Sequence, residues 1–110
     1  MAYDEQLAAR IRDLVADEAG LTEKKMFGGL AFLVEGNMAV AASGQGGLLV
    51  RVDPAESAEL VETTPAMEME MRGRSMAGWL RLDSADVEDE ELSAWVDRGV
   101  SFARSLPPKR

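Results

Sequence analysis

Met67-Glu68-Met69-Glu70-Met71-Arg72-Gly73-Arg74-Ser75-Met76-Ala77-Gly78-Trp79-Leu80-Arg81-Leu82 decides the class of fold. Apolar and charged residues alternate from Met67 to Arg72, the period of a strand with one buried face. Gly73-Arg74 then reads as a turn, and Ser75 to Leu82 as a second strand. Strands joined by so short a turn are antiparallel, because a parallel pair needs a long crossover connection. With Gly73-Arg74 as a two-residue loop, Arg72 faces Ser75, Met71 faces Met76, Met69 faces Gly78, Glu68 faces Trp79 and Met67 faces Leu80. Paired residues share a face. Met67, Met69, Met71, Met76 and Leu80 are therefore expected beneath the helices, with Glu68, Glu70, Arg72, Trp79 and Arg81 on the open side. A large aromatic among charges is a candidate anchor for another chain, which makes Trp79, Arg72 and Arg81 a candidate interaction face. The alternative is that a loop or neighbouring side chains cover the ring.

Upstream, Lys24 to Val34 reads as one long apolar strand, turned by Glu35-Gly36 into a second strand over Asn37 to Ala42. Ser43-Gly44-Gln45-Gly46-Gly47 is a further turn and Leu48 to Val52 a third strand. Leu30, Phe32 and Val34 alternate with Ala31 and Leu33, so both faces are apolar there, which hints at a dimer. Leu7, Ile11, Leu14 and Val15 have helical spacing between Asp4, an N-cap, and Gly20, a stop. Asp53-Pro54-Ala55-Glu56 starts a second helix, which ends near Glu62. The acidic run from Asp83 to Glu91 precedes Leu92, Trp95, Val96, Gly99 and Ala103 at helical spacing, and Arg98 and Arg104 follow, a charge order that complements a helix dipole. The expected order is α-β-β-β-α-β-β-α. This is an α+β domain with an antiparallel sheet and helices packed on a face. One domain is expected over residues 1–106, with 107–110 as a short tail after Pro107-Pro108.

The composition limits the chemistry. Twelve Lys and Arg stand against 20 Asp and Glu, a net charge of −8 that repels phosphate backbones and disfavours nucleic acid as a partner. No run of residues is long and apolar enough for a membrane span, and the acidic N-terminus is followed by no apolar leader. The absence of cysteine agrees with a reducing compartment, so a cytoplasmic location is expected. Without histidine or cysteine, imidazole catalysis, Ser-His-Asp triads and the usual zinc ligand sets are excluded. No motif joins a lysine to a serine nucleophile.

The carboxylates from Asp83 to Glu91 lack the glycine of an EF-hand loop and are more simply a solvated helix start, although a carboxylate or metal-dependent enzyme stays an alternative. Gly28-Gly29 and Gly44 to Gly47 match no phosphate-loop pattern. The first marks a bulge or close backbone approach within a strand. Lys24, Lys25, Arg72 and Arg74 form a candidate anion patch, the basis of a nucleic-acid or anion-binding alternative. The methionines at 26, 38, 67, 69, 71 and 76 suit a flexible core, with an adaptable peptide groove as the alternative. No cofactor is expected.

Lys24-Lys25-Met26-Phe27-Gly28-Gly29, then Glu35-Gly36-Asn37-Met38-Ala39 and Leu48-Leu49-Val50-Arg51-Val52-Asp53, resembles the TfoX N-terminal domain family. Gly73-Arg74-Ser75-Met76 to Trp79 and the helix around Glu91-Leu92 to Trp95-Val96 fit as well. Met26, Phe27, Gly28 and Gly29 are the most specific part. The sequence departs from the family pattern at Ala39, where an aromatic is frequent, and at Leu49, where tyrosine is common. The resemblance implies a secretion-chaperone-like α+β fold. By analogy with the competence regulator of that family, it also implies a non-enzymatic regulatory or protein-interaction module, with a protein partner or self-association.

Overall fold

Helix α1 (Glu5–Leu14) begins where Asp4 accepts hydrogen bonds from the amides of Gln6 at 3.0 Å and Leu7 at 3.1 Å. That cap satisfies donors the helix itself leaves unpaired and contributes about 1 kcal/mol. The computed structural model describes residues 3–26, 28–71 and 73–108. Leu7, Ile11 and Val15 are buried as their spacing requires, whereas Leu14 points outward and is 43% exposed.

Four strands follow, β1 (Leu21–Met26), β2 (Gly29–Val34), β3 (Asn37–Ala42) and β4 (Leu48–Arg51). The expected long strand from Lys24 to Val34 is thus two strands. Gly28, at φ 77°, takes a left-handed conformation in the turn, and Met26 pairs with Gly29 across a tight antiparallel hairpin. Gly29 does lie at a close backbone approach, since a Cβ there would stand 2.5 Å from the Ala42 carbonyl oxygen. Phe27 lies outside the described residues.

Helix α2 (Pro54–Thr63) is capped by Asp53, whose Oδ1 accepts from the Ala55 amide at 2.9 Å. It leads into β5 (Met67–Met71) and β6 (Arg74–Leu82), and α3 (Asp89–Ser105) closes the chain after a single 3₁₀ turn at Ser84–Asp86. The α+β class holds, with one strand more than expected, in the order α-β-β-β-β-α-β-β-α. The six strands form one antiparallel sheet, β1-β2-β3-β4-β6-β5.

All three helices lie on one face, α3 across β3 and β4, α2 over β6 and β5, and α1 beside α3. Between them and the sheet are Phe32, Val34, Val40, Leu48, Val50, Leu80 and Leu82, all buried. Fully burying one such side chain contributes about 1.5–3 kcal/mol. Gly99 brings α3 close to the sheet, because a Cβ there would meet the Ala39 carbonyl oxygen at 2.5 Å.

The β5–β6 hairpin corrects the expected faces. Met71 pairs with Arg74, Glu70 with Ser75 and Met69 with Met76, so the turn falls one residue earlier than expected. Gly73, at φ 78°, takes the second loop position, where a left-handed residue is wanted. The register then slips, and Glu68 pairs with Leu80 and Met67 with Arg81. The slip is a bulge around Gly78, at φ 87°, whose amide donates to Ser57 Oγ of α2 at 3.0 Å and whose carbonyl accepts from the Val52 amide at 2.8 Å. An odd number of residues inserted into an alternating strand reverses which face each side chain takes. Leu80 and Leu82 point to the helices, and Met67, Met69 and Met76 share the opposite face with Trp79 and Arg81.

The two-sided apolarity of β2, which suggested a dimer, is largely absorbed within the chain. Ala31 is 0% exposed although it lies on the side away from the helices.

Candidate functional site

The helix-free face of the sheet is built by every strand. Register places Lys24 and Met26 of β1, Leu33 of β2, Met38 and Ala41 of β3, Leu49 and Arg51 of β4, Met69 of β5, and Met76, Trp79 and Arg81 of β6 around one cleft of about 850 Å³. Small residues make part of its floor, Gly29 and Ala41 among them. Longer thioether and aliphatic side chains stand around them. Met26, Leu33, Met38, Leu49, Met69, Met76 and Trp79 are half-buried, and Met67 at the sheet edge is 59% exposed.

A second irregularity brings Met38 into this face. Phe32 pairs with Val40 but Leu33 pairs with Met38, so Ala39 is an extra residue in β3 and turns into the core. Without that bulge, Met38 would share the helix side with Val40 and Ala42. Leu49 and Ala39, where the chain departs from the common family residues, thus occupy unlike positions, one on the cleft wall and one in the core.

Trp79 is half-buried, and a neighbouring side chain packs on its ring. The Arg51 guanidinium lies over its ring at 5.1 Å from the centroid, and the Phe102 ring is 5.6 Å from the same group. Such contacts contribute about 0.5–1 kcal/mol where exposed and hold the guanidinium in a fixed plane. Arg81 is also held, donating to Gln45 Oε1 at 2.9 Å and to the Gly46 carbonyl at 3.4 Å. Both partners are neutral, so neither cancels its charge.

Trp79 and Arg81 share the open face as expected, while Arg72 lies outside the described residues. The three described residues of the anion patch are dispersed. Lys24 stands on the cleft side of β1 and Lys25 on the helix side, and Arg74 starts β6, with three strands between it and β1 in the sheet order. Glu23, also on the helix side, is held by Arg12 at 2.7 and 2.9 Å, and that hydrogen bond keeps its carboxyl below the usual carboxylate range.

The carboxylates after Asp83 are arranged as a helix start, and no group of three His, Cys, Asp or Glu among the described residues is placed to hold a metal ion. No described helix is long and apolar enough to cross a membrane. The cleft presents shape, polarizable apolar surface and fixed cations. Those are means of binding.

The family model of the TfoX N-terminal domain matches residues 13–103. The chain belongs to the TfoX N-terminal domain family. No curated protein and no solved structure matches it. Every cleft residue named above lies inside the span matched to the TfoX N-terminal domain. Of the segment that carried the resemblance, Met26 and Gly29 line one end of the cleft and Gly28 forms the adjoining turn.

Leu33, Leu49 and Arg51 were not singled out from the sequence as a site, whereas Met26, Met38, Met69 and Met76 belong to the methionine groove weighed there as the alternative to a flexible core. Gly78 was the signal available, since a lone glycine within a strand pattern marks a bulge. Ala39 carries no comparable mark.

Proposed function

We propose that this member of the TfoX N-terminal domain family is a non-enzymatic regulatory or protein-interaction module of the cytoplasm, and that its binding surface is the cleft on the helix-free face. The observation that carries this reading is the burial contrast across one sheet. The same strands that seal a core on one side leave a half-exposed surface rich in methionine, with Trp79, on the other. Methionine surfaces adapt to different partners at little cost, because the side chain is unbranched and polarizable. Tryptophan and arginine are the residues in which interface energy concentrates.

The anion-binding reading through Lys24, Lys25, Arg72 and Arg74 draws less support, since Lys24 and Lys25 face opposite ways. Affinity capture from native lysate, with nuclease and with wild type beside Met38→Glu and Trp79→Ala, tests the reading. Specific proteins retained by wild type after nuclease and lost with both variants are expected. Identical captures would place the function elsewhere on the molecule.

A further inference from the structure

The cleft differs from the rest of the chain in the sign of its charge. The whole sequence carries 20 carboxylates against 12 cations, yet the charged residues lining the cleft are Lys24, Arg51 and Arg81 against Glu70 alone. None of those three cations makes an ion pair among the described residues. Arg51 rests on aromatic rings and Arg81 on neutral oxygens, so both are fixed in place with their charge uncompensated. Between them lie the apolar side chains of Leu33, Met38, Leu49 and Met69.

We infer that the occupant of this cleft is an acidic, apolar-rich peptide segment of a partner protein, an inference that rests on the cleft being the interaction surface. Carboxylates of such a segment meet Lys24, Arg51 and Arg81, and its apolar side chains enter among the methionines. Arginine presents a planar fork that suits a carboxylate, and a fork already held by stacking loses little freedom when it binds one. The occupant must also approach a protein of net charge −8, so steering comes from the local cationic field and fades with salt. A second copy docking cleft to cleft is disfavoured by the same charges, because it brings together two clefts that each carry three cations against one carboxylate. The open trough, which spans the sheet from β1 to β5, suits a chain segment better than a compact solute.

Selection of a displayed random-peptide library on the immobilised full chain tests this, with Arg51→Gln/Arg81→Gln, Lys24→Gln and Met38→Glu as parallel targets. Each variant is first checked for a wild-type circular dichroism spectrum. Lys24 is exposed, so its variant reads charge without touching packing. Recovered sequences should be enriched in Asp and Glu beside apolar residues. The strongest clone, made as a synthetic peptide, should bind wild type about tenfold or more tightly than the double arginine variant at low salt.

Neutral or basic clones that still require Met38 would overturn the acidic occupant and leave the cleft as the interaction surface. An empty selection, or clones indifferent to Met38→Glu, would overturn both. A wild-type dimer in sedimentation velocity that Met38→Glu dissociates would make the occupant a second copy. Displacement of the selected peptide by a single-stranded oligonucleotide that binds with a steep salt slope would make it nucleic acid.

Discussion

The two faces of the sheet are made by the same six strands and have opposite material properties. Toward the helices stand Phe32, Val34, Val40, Val50 and Leu80, branched or aromatic side chains with few rotamers and essentially no exposure. Away from them stand Met26, Met38, Met69 and Met76, flexible side chains left half-exposed. The first face needs one arrangement and resists change in volume. The second can repack around an occupant, because its side chains are not yet committed to one. On the proposed reading, stability and recognition are divided between the sides of one layer.

The largest effect that sharpens this contrast is Phe32→Ala, expected to cost about 3–5 kcal/mol, against about 1 kcal/mol or less for Met38→Ala on the other face. Urea unfolding of both variants measures it, and equal losses would break the contrast. Next is Gly99→Ala. In an ordinary helix this change gains about 1 kcal/mol. Here the added methyl meets the Ala39 carbonyl and Val40, so a loss of about 1–3 kcal/mol is expected by the same method.

Ser57→Ala removes the acceptor of the buried Gly78 amide and should cost about 1–3 kcal/mol. Because that bond pins the bulge, hydrogen exchange at Gly78 should accelerate relative to β3. Unchanged exchange there would mean that the strand keeps its slip without help from α2.

The smallest effect is Arg12→Gln at the sheet edge. Glu23 has its folded-state pKa lowered by the Arg12 hydrogen bond, so the contribution is present above the ordinary carboxylate pKa and is lost as pH falls through the folded value. The variant should melt slightly below wild type at neutral pH, and the two curves should converge as pH falls through the lowered Glu23 value. A gap that persists there would assign the loss to packing of the arginine stem.

Local signals in the sequence suffice for the element types. Asp4 and Asp53 cap the helices they were expected to cap, and the β5–β6 segment is the antiparallel hairpin its alternation implied. The family assignment from Met26, Gly28 and Gly29 also holds. Alternation failed where backbone irregularities outweigh it. Gly28 reverses the chain where continuous apolarity read as one strand, and Gly73 places the loop one residue earlier than expected. The bulges at Ala39 and Gly78 then move Met38, Met69 and Met76 to the face that became the cleft. An amide that finds its acceptor on another element, as Gly78 finds Ser57 from 21 residues away, leaves little trace in local periodicity.

The bulge at Gly78 also bears on how related chains are aligned through this segment. A single-residue insertion or deletion between Met76 and Leu80 exchanges the faces of half a strand, setting methionines against α2 or leucines against solvent. Paired changes preserve them. Length variation here is therefore expected to obey an even-number rule, and an alignment that opens a one-residue gap at this point would match letters while inverting the surface they build.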